Sequence, residues 1–242
     1  MRPIRRGPAP QNGDFDDYDD AKVDLVSRLG PYCTYCERHI MTNLAVEHIQ
    51  PQALYDHLTG RWENFLLACV NCNSTKLDTD ITLGKILLPD RDNTFAAFTY
   101  SQDGVVAPAT SLTSDLFALA LESLKLTGLH KPVVRTLDAN GKMVALDRGA
   151  QRMEAWGVAL EAVSDLSQRP NDDLMVKRIV ANAIATGFFS IWMAAFASNS
   201  DMMNRLINAF PGTRESGCFD PISGQPVTPA PNPDQLPHGS KI

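Results

Sequence analysis

The chain has 242 residues, 44% of them hydrophobic and 21% charged, which is enough apolar material for a small module plus a second folded region and excludes wholesale disorder. Its formal net charge of -6 argues against a strong, autonomous nucleic-acid binder, because such affinity is dominated by neutralising phosphates. The opening MRPIRRGP has no apolar run behind its arginines, so no secretory signal is expected and the expected compartment is the reducing cytoplasm.

In chain order, residues 1–30 read as an N-terminal arm and a short helix. The arm is basic at Arg2, Arg5 and Arg6 and then acidic from Asp14 to Asp20, and a helix from about Asp20 to Leu29 is stopped by Gly30-Pro31. Residues 31–82 form a unit of their own. Leu44, Val46 and His48 fit a short strand, Asn64 to Val70 a second, and CNSTKLDTDI begins a helix close to Cys72. Residues 83–112, with Pro89, Pro108 and a turn at Asp103-Gly104, read as an irregular or short-β connection.

Residues 113–212 turn helical. Helices are expected from Ser114 or Asp115 to Leu126 with Gly128 as the stop, from Asp147 to Gln168, from Asn171 to Ser198 and from Asp201 to Phe210. The apolar run 183–197 is too short for a membrane span and is interrupted by Thr186, Gly187 and Ser190, so it is expected to be a buried helix. The aromatics Trp156, Phe188, Phe189, Trp192 and Phe196 fall at core positions, with a partner-docking surface as the other reading of this region. Residues 213–242 form a proline-rich tail; from Pro211 onward the chain holds seven of its 16 prolines and should be extended, able to lie along a partner. The fold class is therefore α+β.

Chemistry concentrates between Cys33 and Lys76. Cys33/Cys36 and Cys69/Cys72 are two C-x-x-C pairs, the spacing that lets two knuckles present four sulfurs to one tetrahedral zinc ion, and the 32 residues between the pairs require something folded between them. A reducing compartment makes disulfides the weaker reading. Cys218 stands alone and reads as a small buried hydrophobe. His48 has an ordinary pKa near neutrality, which suits a base, and Glu47 and Asn73 offer hard oxygen donors for magnesium or manganese. Lys76, one helical turn past Asn73, can reach a phosphate if it is not simply solvated. Plainer readings stand beside these: His48 as a strand-end histidine satisfied by backbone, Asn64 as a turn closer, His39 and His57 as surface residues, and Trp62 as hairpin core.

Cys33-x-x-Cys36, Glu47-His48-Ile49-x-Pro51, Trp62-x-Asn64 and Cys69-x-x-Cys72-Asn73-x-x-Lys76 together resemble the HNH endonuclease family over roughly residues 31 to 82. The outer words MRPI, YCTYCE, PDRDNTFAAFTY and FPGT resemble a narrower group, the HNH proteins that accompany ATPases in Septu and retron anti-phage systems. The resemblance implies a zinc-stapled ββα-metal (His-Me finger) module, a DNA phosphodiester hydrolase leaving 5′-phosphate ends, and an ABC-type ATPase partner in a defence complex. It implies that Glu47 and Asn73 hold the catalytic ion, that His48 activates water and that Asn64 orients the site. Position 73 is Asn where many members have His, and position 47 is Glu where many have Asp or His; both favour a hard divalent ion over zinc at the catalytic position. Two other readings remain open on the sequence, an RNase acting on tRNA and a non-catalytic zinc-binding assembly unit.

Overall fold

The structure, a computed structural model, describes residues 1–242 other than Arg135, Ala145, Leu146 and Asn171, and of Met143 the backbone only. A first helix, α1 (Lys22–Leu29), follows a 3-10 turn over Tyr18–Ala21 and stops where Gly30 takes φ 74°. Past the first cysteine pair, β1 (Ala45–His48) pairs antiparallel with β2 (Phe65–Ala68), Ala45 opposite Ala68 and His48 opposite Phe65. β2 is buried along its whole length, because α1 covers it and α2 (Val70–Lys76) turns directly off its end. The β-β-α order expected for residues 31–82 is thus present.

The connection 83–112 holds one turn of helix, α3 (Thr94–Ala97), and a hairpin of β3 (Phe98–Tyr100) and β4 (Val106–Pro108). Gly104 supplies the positive φ of 81° that its turn requires. α4 (Ser114–Thr127) starts one residue before the expected caps, at Thr113, whose hydroxyl accepts from Leu116 N, and ends at a left-handed Gly128. A small hairpin that the sequence reading did not contain, β5 (Thr136–Leu137) and β6 (Met143–Val144), closes around Asp138, whose Oδ1 accepts from Asn140 N and Lys142 N.

Four helices build the second half: α5 (Arg148–Gln168), α6 (Asp173–Thr186), α7 (Phe189–Ala195) and α8 (Ser200–Ala209). Asp147, Asp172 and Asn199 cap α5, α6 and α8 with side-chain oxygens. α5 packs on α6 and α7, and α8 on α6 and α7, around Trp192, Phe189 and Phe210. Among the described residues no helix is long and apolar enough to cross a membrane.

The structure corrects three expectations. The helix expected over 171–198 is two helices: its expected start, Asn171, lies outside the described residues, and the chain breaks at Gly187-Phe188, both with positive φ. Backbone there docks on the first knuckle, Phe188 N donating to Glu37 O at 2.8 Å, and a Cβ on Gly187 would sit 2.5 Å from Glu37 O. The basic N-terminal residues are not a loose arm. Met1, Ile4 and Arg6 are buried, and Arg2 donates to Leu29 O and Thr213 Oγ1. The tail is extended but lies on the chain's own body: Ile242 O accepts from Asn93 N and Ala230 N, and Arg91 donates to Pro237 O. Residues 90–93 explain both corrections, since Arg6 pairs with Asp90 at 2.7 Å and Lys241 with Asp92 at 2.9 Å, so buried charges there need partners from both ends of the chain.

Gly187→Ala should lower stability by more than about 1 kcal/mol, because it combines left-handed strain with a clash against backbone. Gly157, inside α5 with open space around it, is the control: Gly157→Ala should raise stability by about 0.5–1 kcal/mol. Thermal denaturation of the two variants checks both signs.

Candidate functional site

The four cysteines converge. Cys33 and Cys36 come from the knuckle after α1, Cys69 from the N-cap of α2 and Cys72 from its first turn; all four sulfurs lie within 4.8 Å of one another and all four residues are buried. The knuckle is tied to the hairpin by Thr34, whose backbone N and hydroxyl both donate to Leu67 O. Two guanidiniums face the sulfurs. Arg148 Nη1 lies 3.0 Å from Cys72 Sγ, and although burial alone would lower Arg38, Cys36 and Cys69 hold it above its ordinary value. Burial raises the Cys33 thiol, while hydrogen bonds from Cys33, Cys36 and Cys72 push Cys69 down. Four soft donors in a dry site, with arginines to balance excess thiolate charge, fit a structural zinc ion. Cys218 is apart from them, buried, its thiol raised to about 11 by burial, as expected for a small hydrophobe.

A second centre lies on the other end of β1. Glu47, His48, Asn73 and Lys76 line one cavity of about 360 Å³, together with Tyr18 and Ser74. His48 rests edge-on against Tyr18 at 4.7 Å and Phe65 at 5.2 Å, and its Nε2 lies 2.9 Å from Thr59 O. A carbonyl can only accept, so Nε2 carries the proton and Nδ1 keeps the lone pair. Half-burial lowers the His48 pKa, the Thr59 carbonyl raises it and Lys76 lowers it, with a net fall that keeps the imidazole neutral at pH 7. The side-chain amide of Asn73 is half-buried, with no hydrogen-bond partner among the described residues.

Glu47 is buried on the inner side of the strand. Tyr35 donates its hydroxyl to Oε2 at 2.6 Å, and Lys76 Nζ lies 2.6 Å from Oε1 while donating its hydrogen bond to His48 O at 2.7 Å. Oε1 therefore has an ionic partner but no aligned donor. Burial raises the Glu47 pKa, and Lys76 and Tyr35 pull it back. Lys76, expected to reach a phosphate or else to be solvated, does neither here: it is 2% exposed and its ammonium pairs with Glu47. Helical spacing puts the 76 side chain on the same face of α2 as Asn73, and its length carries the ammonium under β1 to Glu47 Oε1 and His48 O.

Asn64 does not line this cavity. Its Oδ1 accepts from Gln50 N at 2.8 Å and its Nδ2 donates to Gln50 O and Leu58 O, so it clasps the loop that leads to Thr59. Its connection to His48 runs through that loop, which makes it a positioning residue. Trp62 is core, as expected, with Phe15 at 6.1 Å and Arg28 over its ring. His57 is exposed, and His39 sits against Tyr32 with Nδ1 at Ala185 O; neither lines the cavity. Tyr35 and Thr59 were not legible as site residues. Tyr35 sits inside the first C-x-x-C, the one signal that could have drawn attention to it.

Residues 33–79 match the family model described as HNH endonuclease, a segment that contains the cysteine cluster, Glu47, His48, Asn64, Asn73 and Lys76. No curated protein matches the chain. The match and the cluster together support a nuclease of the metal-dependent kind for this segment, and hence a nucleic acid as its substrate in general terms.

Two outcomes follow from this geometry. Cys36→Ser and Cys69→Ser should each lose about one zinc per chain by elemental analysis and melt at lower temperature, whereas full zinc content in either would sink the cluster assignment. Lys76→Met should cost roughly 3 kcal/mol or more in denaturant unfolding by leaving Glu47 buried and unpaired, and adding Glu47→Gln should recover part of that loss.

Proposed function

We propose that the chain is a metal-dependent endonuclease that hydrolyses phosphodiester bonds of DNA, with residues 33–79 as a zinc-stapled ββα-metal module. The observation that supports it most is the fixed tautomer of His48, with Nε2–H spent on Thr59 O and Nδ1 free as a base, on the wall of a cavity it shares with Glu47 and Asn73. Nδ1 takes the proton of the attacking water, the new P–O bond forms, the bond to the 3′ oxygen breaks, and that oxygen is protonated from solvent.

Asn73 offers a hard oxygen on the cavity wall, and Glu47 would join it in holding a hydrated magnesium or manganese ion by giving up part of its contact with Lys76. When bound, that ion supplies charge neutralisation to the scissile phosphate and the departing oxygen. Tyr35 holds the Glu47 carboxylate in place, and Asn64 holds the loop that orients His48. With two protein oxygens and the rest water and phosphate, metal demand should lie in the millimolar range.

The net charge of -6 further supports delivery by a partner that supplies phosphate contacts, and the resemblance to ATPase-associated HNH proteins favours an ABC-type ATPase in a cytoplasmic anti-phage complex. Cleavage should fall steeply with salt for the isolated chain and recover when the product of the neighbouring gene is added.

His48→Ala should reduce metal-dependent cleavage by about 100-fold or more while leaving zinc content and melting temperature unchanged. The assay compares a plasmid with a tRNA pool. Wild-type rates in the variant would remove His48 as the base, and faster cleavage of tRNA would move the substrate to RNA. No cleavage of either by the wild type, with its partner present, would favour the assembly-unit reading.

A further inference from the structure

On the neighbouring face of α2 from the His48 cavity lies a second one of about 470 Å³, and Ser74 lines both. Its walls carry Arg38, Lys131, Arg148 and Arg152, four cations on a chain whose net charge is negative. Two of these are spent: a zinc ion with four thiolates bears two negative charges, and Arg38 and Arg148 are the groups that face the sulfurs. The other two make no hydrogen bond to a sulfur, although Arg152 feels Cys36 and Tyr100 through space. Lys131 is exposed and its ammonium has no carboxylate partner among the described residues. Arg152 is 3% exposed; its Nε donates to Gly104 O at 2.7 Å, and its Nη1 is buried with no hydrogen-bond partner among the described residues.

Asp147, the one carboxylate lining the cavity among the described residues, attracts Arg152 through space but forms no ion pair with it or with Lys131. Its Oδ1 accepts from Ala150 N at 2.7 Å as the cap of α5, and its Oδ2 accepts from Val134 N at 2.8 Å, tying down the segment before β5. The N-terminus of the 21-residue α5 opens on the same space through Arg148 and Gly149, adding its positive dipole end. A buried guanidinium donor left unmade is costly, and an oxyanion seated between Arg152 and Lys131 would satisfy it.

We infer that this cavity binds a backbone phosphate of the same nucleic-acid strand whose linkage is hydrolysed beside His48, the strand crossing α2 at Ser74. The inference rests on the nuclease reading above. Arg152 from the floor and Lys131 from the rim hold the phosphate, and the shared wall at Ser74 sets the direction in which the strand leaves the His48 cavity. One such contact gives modest affinity, consistent with a need for a partner to supply more.

The test uses the zinc-loaded full chain in a His48→Ala background, with a fluorescent oligonucleotide read by anisotropy across a salt series. Lys131→Ala should weaken binding by about three- to ten-fold and reduce the slope of log K against log salt by about one, with melting temperature and zinc content unchanged. Arg152→Gln should weaken it at least as much, and Arg152→Lys should recover part of the loss. Because Arg152 is buried, Lys131→Glu decides the matter if the Arg152 variants fail to fold. Unchanged affinity and slope in the Lys131 variants overturns the proposal, as does tight binding of inorganic phosphate or a mononucleotide that matches the oligonucleotide, which would make the cavity a free-phosphate site. Cleavage by the otherwise wild-type chain is measured separately. If it fails with the partner present while Lys131→Ala still weakens oligonucleotide binding, the nuclease reading falls and the phosphate cleft stands.

Discussion

Four buried sulfurs within 4.8 Å of one another pose an electrostatic problem that the surrounding chain is arranged to solve. Thiolates cannot share a dry site unless cations balance them, and a short hairpin with a seven-residue helix has too little core to hold the sulfurs together by packing alone. The answer draws on distant sequence. Arg38 comes from the knuckle itself, but Arg148 comes from the first turn of α5 and also clamps the C-terminus of α4 through Thr127 O and Gly128 O. The cysteine cluster therefore fixes the hairpin, α2, α4 and α5 relative to one another, and with them the two cavities that meet at Ser74 of α2.

The helical half is bound to the same knuckle by a second buried charge. Glu37 accepts from Ser190 N at 2.8 Å and Ser190 Oγ at 2.6 Å, pairs with the Met1 ammonium at 3.3 Å, and offers its carbonyl to Phe188 N. That is the physical reason for the break between α6 and α7: the helix must open so that its backbone can reach the knuckle. Residues 90–93 play a similar part for the two ends of the chain. The word PDRDNTF, which as sequence suggested only kinship, is in the structure a set of buried polar groups that Arg6, Lys241 and the carbonyls of Cys218 and Val227 satisfy.

Within the site, the Glu47–Lys76 pair shows how one substitution pattern changes the meaning of a ligand. Burial raises the Glu47 pKa, and the Lys76 ammonium 2.6 Å away is the largest influence opposing that rise. Specific orientation is bought by backbone: Thr59 O selects the His48 tautomer, and Asn64 holds the loop that carries Thr59.

What the sequence determined by itself is what depends on local spacing. Two C-x-x-C pairs, a Glu-His at a strand end and an Asn one residue after the last cysteine are short-range patterns, and the capping chemistry of Asp147 and the stops at Gly30 and Gly128 follow from local φ/ψ preference. What only the tertiary structure decided depends on partners far away in the chain. Lys76 looked solvated because a lysine after a helical asparagine usually is; it is buried because Glu47 lies beneath it. The 171–198 run looked continuous because its apolar period carries across Gly187, and nothing local announces that Glu37, some 150 residues earlier, will claim that backbone. Arg148 and Arg152 carry no motif in the sequence, and the cysteines and the α2 wall that group them into a cationic cleft enter only when the chain folds. Long-range electrostatic compensation has no sequence period, so it becomes visible only once the groups are brought together.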